Sequence, residues 1–155
     1  GLANGYAIGG VIARAEIMDS ISANSISTFG GNPLSSTAAL ATLNYLEKNN
    51  SQAKNLELGN LIAERLNELD AKYDFIGEVR GKGLMQGIEL VGDDGLSPNV
   101  KLAARIMEET KSRGLLIGKG GQFGNCLRLA PPISISETQC AWALDVLEES
   151  FAAAK

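Results

Sequence analysis

Between Leu58 and Tyr73 the apolar residues Leu58, Ile62, Leu66, Leu69 and Tyr73 recur at helical spacing with charges between them, and then the period changes. Phe75 to Val91 carries Val79, Leu84, Ile88 and Leu90 as strand material, punctuated by Gly81, Gly83 and Gly87. A long amphipathic helix running straight into strands, with further helices interleaved, argues an α/β layer structure of modest size. At 155 residues the chain is long enough for one ordinary domain or for part of a larger one.

The remaining elements follow from local signals. Ile8 to Ala13 suits a short buried strand bounded by glycines, and Ala15 to Ile21 a short helix. Asn24 to Asn32 reads as a polar loop. Pro33 fits the first position of a helix capped by Asn32 and running to about Glu47. With the 58–73 pattern this predicts one nearly continuous helical arm from Pro33 to Tyr73, with Asn49-Asn50-Ser51 as the place for a kink. Gly92-Asp93-Asp94-Gly95 is a turn. Ser97 as cap and Pro98 at the first position predict a helix ending at Arg113-Gly114. Leu115 to Lys119 and Cys126 to Leu129 read as strands joined by a glycine-rich loop, the second stopped by Pro131-Pro132. Ser136 and Gln139 form a capping box for a last helix from Glu137 to about Ala152. The segment before the helical arm has no complete core of its own.

Composition removes several chemistries. The chain has no histidine, so Ser/His/Asp and Cys/His nucleophile arrangements and histidine-containing metal sites are excluded within it. Its two cysteines, Cys126 and Cys140, are too few for a disulfide framework or a four-thiolate zinc site, and no metal is expected. They read as small buried hydrophobes of a reducing compartment, which places the chain in the cytoplasm. A net charge of −4 argues against a nucleic-acid footprint. No apolar run approaches the roughly 18 residues of a membrane span. Neither a nucleic acid nor a membrane is an expected partner.

Four places invite a chemical reading, and two of them keep it. The phrases Gly118-Lys119-Gly120-Gly121 and Arg80-Gly81-Lys82-Gly83 have neither P-loop nor dinucleotide spacing, and read as glycines shaping bulges and turns. Thr28, with Ser27 beside it, precedes a capped helix start, where backbone N–H groups and the helix dipole favour an anion; the alternative is that both hydroxyls satisfy loop backbone. Arg128 is an arginine in an otherwise apolar strand. A half-buried guanidinium there needs an anionic partner, either a protein carboxylate or a ligand carboxylate or phosphate.

These phrases together resemble the class III aminotransferases, which use pyridoxal phosphate on the type I fold. The matching residues are Gly1-Leu2-Ala3-Asn4-Gly5, Thr28-Phe29-Gly30-Gly31-Asn32-Pro33, Val79-Arg80-Gly81-Lys82-Gly83-Leu84-Met85 with Gly87-Ile88-Glu89, and Leu127-Arg128-Leu129-Ala130-Pro131-Pro132. They stand in the family's order. Gly118-Lys119-Gly120-Gly121 before Asn125 is most similar to the alanine–glyoxylate and 4-aminobutyrate aminotransferase branch. The resemblance implies the C-terminal part of a type I pyridoxal-phosphate-dependent transferase fold. Residues 1–45 would be a remnant of the large cofactor-binding domain, 46–74 a linking helix, and 75–155 the small C-terminal α/β domain.

It also implies an aminotransferase acting on an amino acid or omega-amine and a 2-oxo acid, with pyridoxal 5'-phosphate as cofactor, in a homodimer. The lysine that carries the cofactor would lie just before Gly1, so the chain contains no catalytic residue and is expected to be inactive alone. By the same resemblance Thr28, with Ser27 as helper, would reach the cofactor phosphate of the neighbouring subunit. Arg128 would clamp the substrate carboxylate. The chain's own lysines are given no cofactor-carrying role. A reading from another class is a non-catalytic α/β module that recognises a small anion or a protein partner through Arg128.

Overall fold

The computed structural model describes residues 1–154; Lys155, the last residue of the expected 75–155 region, lies outside them. The chain divides into two compact units, Gly1–Asn50 and Ser51–Lys155.

The first unit holds α1 (Ala15–Met18) and α2 (Pro33–Lys48). Asn32 caps α2 as its sequence position suggests, with Oδ1 accepting from Ser35 N–H at 3.0 Å and Pro33 in the first turn. The expected strand over Ile8 to Ala13 does not form. A strand needs a neighbour to receive its backbone groups, and none of the described strands pairs with this segment; Val11 and Ile12 are exposed. The short helix is also shorter than expected, ending at Met18.

The expected helical arm is two helices. α2 stops at Lys48, and α3 (Ser51–Lys72) begins after Asn49 and Asn50, where Asn50 takes a left-handed φ of 49°. Asparagine tolerates that conformation better than most residues, so the break falls where the sequence can accommodate it.

The second unit is built around a four-stranded antiparallel sheet in the order β1-β2-β4-β3. Its strands are β1 (Ile76–Lys82), β2 (Met85–Leu90), β3 (Gly118–Gly120) and β4 (Cys126–Leu129). Two more helices, α4 (Val100–Ser112) and α5 (Glu137–Ala154), join α3 over one face. Strand alternation turns Ile88, Leu90 and Leu127 toward them. There they meet Leu58, Ile62, Leu66 and Leu69 of α3, Ile106 of α4, and Leu144, Leu147 and Phe151 of α5. Phe151 packs edge-on against Tyr73 and Phe75, with ring centroids 5.7 and 5.6 Å apart. Both cysteines are buried and free.

Two boundaries differ from expectation for identifiable reasons. α4 begins at Val100 with Asn99, not Ser97, as its cap: Asn99 Oδ1 accepts from Leu102 N–H at 3.0 Å. Ser97 is instead held in the preceding loop, its N–H donating to Asp94 Oδ1 at 2.8 Å and its carbonyl accepting from Gly92 at 2.8 Å, while Pro98 bridges to Val91. Strand β3 starts at Gly118, not Leu115. The register Gly118↔Arg128 would set Leu115 opposite Pro131, which has no N–H to offer the ladder. The capping box of α5 forms as expected, with Gln139 Oε1 accepting from Ser136 N–H at 3.0 Å and Ser136 Oγ accepting from Gln139 N–H at 3.2 Å.

Candidate functional site

The uncovered face of the sheet is where alternation sends the polar residues of β1, β2 and β4. Leu127 and Leu129 point to the helices, so Arg128 between them points away. The register sets Arg80, Gly87, Arg128 and Gly118 side by side across all four strands. Glycines therefore flank Arg128 on both sides, and the row carries two side chains, one at each end of a glycine gap. Adjacent strands lie about 4.8 Å apart, so the backbones bearing Arg80 and Arg128 are roughly 10 Å apart.

The two arginines differ in their partners. Arg80 is tied to Glu78 and, at 2.7 Å, to Glu89. Glu89 also accepts from Asn125 Nδ2 at 3.4 Å, and that buried amide donates to Leu90 O at 2.9 Å. The Arg80 hydrogen bond holds the Glu89 carboxyl below the usual carboxylate range, with Asn125 acting in the same direction. Arg128 is exposed, not half-buried as its apolar context suggested. Among the described residues no carboxylate lies within 4.0 Å of it. Of the two partners left open by the sequence, a protein carboxylate is thus not the one observed.

The Arg80–Glu89–Asn125 cluster is a group that sequence reasoning missed. The signal for it was available: with β1 and β2 as a hairpin, alternation places Arg80 and Glu89 on one face. The glycines around Arg80 have a structural reason. The two-residue turn Gly83-Leu84 joins Lys82 to Met85, and Gly83 takes a left-handed φ of 55°. Gly59 of α3 presses against the backbone of Gly83 so closely that a Cβ at position 59 would overlap it.

Arg128 and Gly118 also border a cleft of about 480 Å³ with largely apolar walls, including Leu116, Pro131, Ile135 and Trp142.

Ser27 and Thr28 belong to the first unit and are brought together by a turn. Gly30 N–H donates to Ser27 O at 3.2 Å, Asn32 N–H to Phe29 O at 3.3 Å, and Gly31 has φ 69°. A Cβ on Gly30 would sit 3.0 Å from that of Ser27, so glycine lets the turn close. Asn32 supplies the cap of α2, and neither hydroxyl is used by the described loop backbone. Both are exposed. The turn therefore offers two free hydroxyls ahead of a helix start, which suits a phosphate ester.

Comparison with known proteins gives a consistent result. The family described as Aminotransferase class-III matches residues 1–151. An alanine–glyoxylate aminotransferase 2 homolog of Arabidopsis thaliana is 39% identical over 97% of this chain and 32% of its own length. The 4-aminobutyrate aminotransferase GabT of Escherichia coli is 35% identical over 99% of this chain and 37% of its own. Among solved structures, a phospholyase from Arthrobacter in complex with phosphoethanolamine superposes with a TM-score of 0.91 at 35% identity, over 98% of this chain and 37% of that one. The chain spans about a third of the length of the curated relatives it matches.

Proposed function

The chain belongs to the class III aminotransferase family, and we propose that it serves as the C-terminal third of a pyridoxal-phosphate-dependent aminotransferase, moving an amino group between an amino acid or omega-amine and a 2-oxo acid. The observation that carries this reading is the guanidinium of Arg128, without a carboxylate partner among the described residues, on a sheet face whose carboxylates are engaged by Arg80. A planar guanidinium whose two neighbours in the register row carry no side chain offers a two-pronged seat for a carboxylate. Holding the substrate there fixes the orientation of its amine and removes entropy from the reacting encounter.

Ser27 and Thr28 would hold the cofactor phosphate of the neighbouring subunit in a homodimer, their free hydroxyls donating to its oxygens. When bound, the cofactor supplies the carbonyl and the electron sink for amino exchange. No residue of this chain is assigned proton transfer. Residues 1–45 would complete the large domain, 46–74 link the domains, and 75–155 form the small domain, with α3 lending its apolar face to that domain's core. The isolated chain would be inactive, a reading supported by its one-third coverage of full-length relatives.

Removing one partner of a desolvated charge pair costs roughly 2–5 kcal/mol. In the complete enzyme, Arg128→Ala should lower kcat/KM for carboxylate-bearing amines by about 30- to several thousand-fold, while amines without that carboxylate lose far less. Equal losses for both would mean that Arg128 is structural. A second reading is favoured by the likeness to the phosphoethanolamine-bound phospholyase: the anion at Arg128 would be a phosphate and the reaction an elimination. Release of inorganic phosphate from a phosphorylated amine, assayed alongside, separates the two. A non-catalytic anion-binding module would show neither reaction.

A further inference from the structure

Arg128 does not stand upright on the sheet. An ideal Cβ at Gly118 would lie 3.2 Å from its Nε and 3.4 Å from its Nη2. The guanidinium therefore lies across the bare backbone of β3, over the residue that faces it in the register. Gly118 has no backbone need to be glycine, since its φ is not among the left-handed ones, and glycine inside a strand costs conformational entropy. What the glycine provides is room. Gly87, on the other flank, is occupied differently: a Cβ there would meet Cys126 Sγ at 3.2 Å, not Arg128. Gly120, two residues along β3, faces open space within 4 Å and also lacks a left-handed φ.

We propose that Gly118 is a positioning residue for the reaction: its missing side chain lets the Arg128 guanidinium lie against β3 at the height and tilt that receive the substrate carboxylate. The inference rests on the assignment of Arg128 as the carboxylate clamp. A side chain at 118 lifts or turns the guanidinium and leaves the fold intact, because the displaced group is the far end of an exposed, flexible side chain.

The test uses the holoenzyme containing this chain, with Gly118→Ala, Gly118→Val and Gly120→Ala, each in the parent and in an Arg128→Ala background. Kinetics with a carboxylate-bearing amine and with a carboxylate-free amine are compared with the affinity for butanoate by titration calorimetry and with Tm. A displacement near 1 Å at a reacting site can cost about a hundredfold. Gly118→Ala should lower kcat/KM for the carboxylate-bearing amine by a few-fold and Gly118→Val by about ten- to a hundredfold. Butanoate affinity should fall in parallel, with Tm not lowered and the carboxylate-free amine unaffected. The loss should vanish when Arg128 is already alanine, as expected for residues acting through one another, and Gly120→Ala should change nothing.

Equal losses for both amines, or a loss that persists without Arg128, would overturn the proposal. If Arg128→Ala discriminates between the amines and Gly118→Val does not, the positioning role alone fails. If Arg128→Ala does not discriminate, the clamp fails and the positioning role falls with it.

Discussion

Arg80 and Arg128 each sit among glycines or apolar residues in the sequence, yet one is consumed and the other free. The difference is register. Hairpin alternation alone puts Glu89 diagonal to Arg80, but no local pattern in the sequence states the β2–β4 pairing that sets Glu89 opposite Cys126 and Arg128 beside Gly87. The place of Arg128 in an apolar strand was legible; its exposure, which removes the premise of a half-buried guanidinium, and the glycine beneath it were not, because both depend on β3. At the first unit's turn the capped helix that follows singles out Thr28 as the hydroxyl proposed to hold an anion. One hydrogen bond to an ionised phosphate is worth roughly 1.5–3 kcal/mol. Thr28→Ala should therefore weaken retention of pyridoxal phosphate by the complete enzyme by about one to two decades, with substrate selectivity nearly unchanged. Unaltered cofactor affinity in equilibrium dialysis would remove Thr28 from the site.

At the scale of elements, caps and prolines were read well where a helix end is decided by its own residues, as at Asn32, Gly114 and Ser136. They were misread where a neighbouring loop competes for the same groups. Asp94 shows the competition: the Ser97 hydroxyl first, then the N–H groups of Leu96 and Ser97, bring its carboxyl down to about 2 from an ordinary 3.8. That stabilisation is complete above about pH 4 and is lost as pH falls through about 2. Urea midpoints measured from pH 4.5 down to 2 should thus fall less for Asp94→Asn than for the parent chain, the two curves converging at the acid end. Parallel curves would mean that the loop contributes nothing. Gly59 offers a test of packing. In an exposed helix interior, glycine to alanine stabilises by about 1 kcal/mol. Here a Cβ would overlap the backbone of Gly83, so Gly59→Ala should destabilise, by about 1–3 kcal/mol. A raised Tm would show that α3 and the β1–β2 turn are not in close contact.

For the whole molecule, the α/β class was legible from the change of hydrophobic period near Tyr73, and the ordered phrases pointed to the family that the comparisons show. The expected strand at Ile8 to Ala13 was not realised, because strand propensity is fulfilled only by a partner strand. The isolated 155-residue chain mixed with pyridoxal phosphate should show no transaminase activity. Borohydride reduction and peptide mapping should find only scattered labelling of surface lysines, since phosphate hydrogen bonds from Ser27 and Thr28 alone cannot offset the ordering cost of association. Stoichiometric modification of a single lysine with turnover would refute this. The decisive measurement is isotopic: the complete enzyme containing this chain is given a ¹⁵N-labelled carboxylate-bearing amine and an unlabelled 2-oxo acid, and the products are followed by mass spectrometry. Transfer of the label to the acceptor, one amino acid formed per donor consumed and weakened by Arg128→Ala, is the result predicted. Label released as ammonia, or retained in a donor that has only changed configuration, would contradict it.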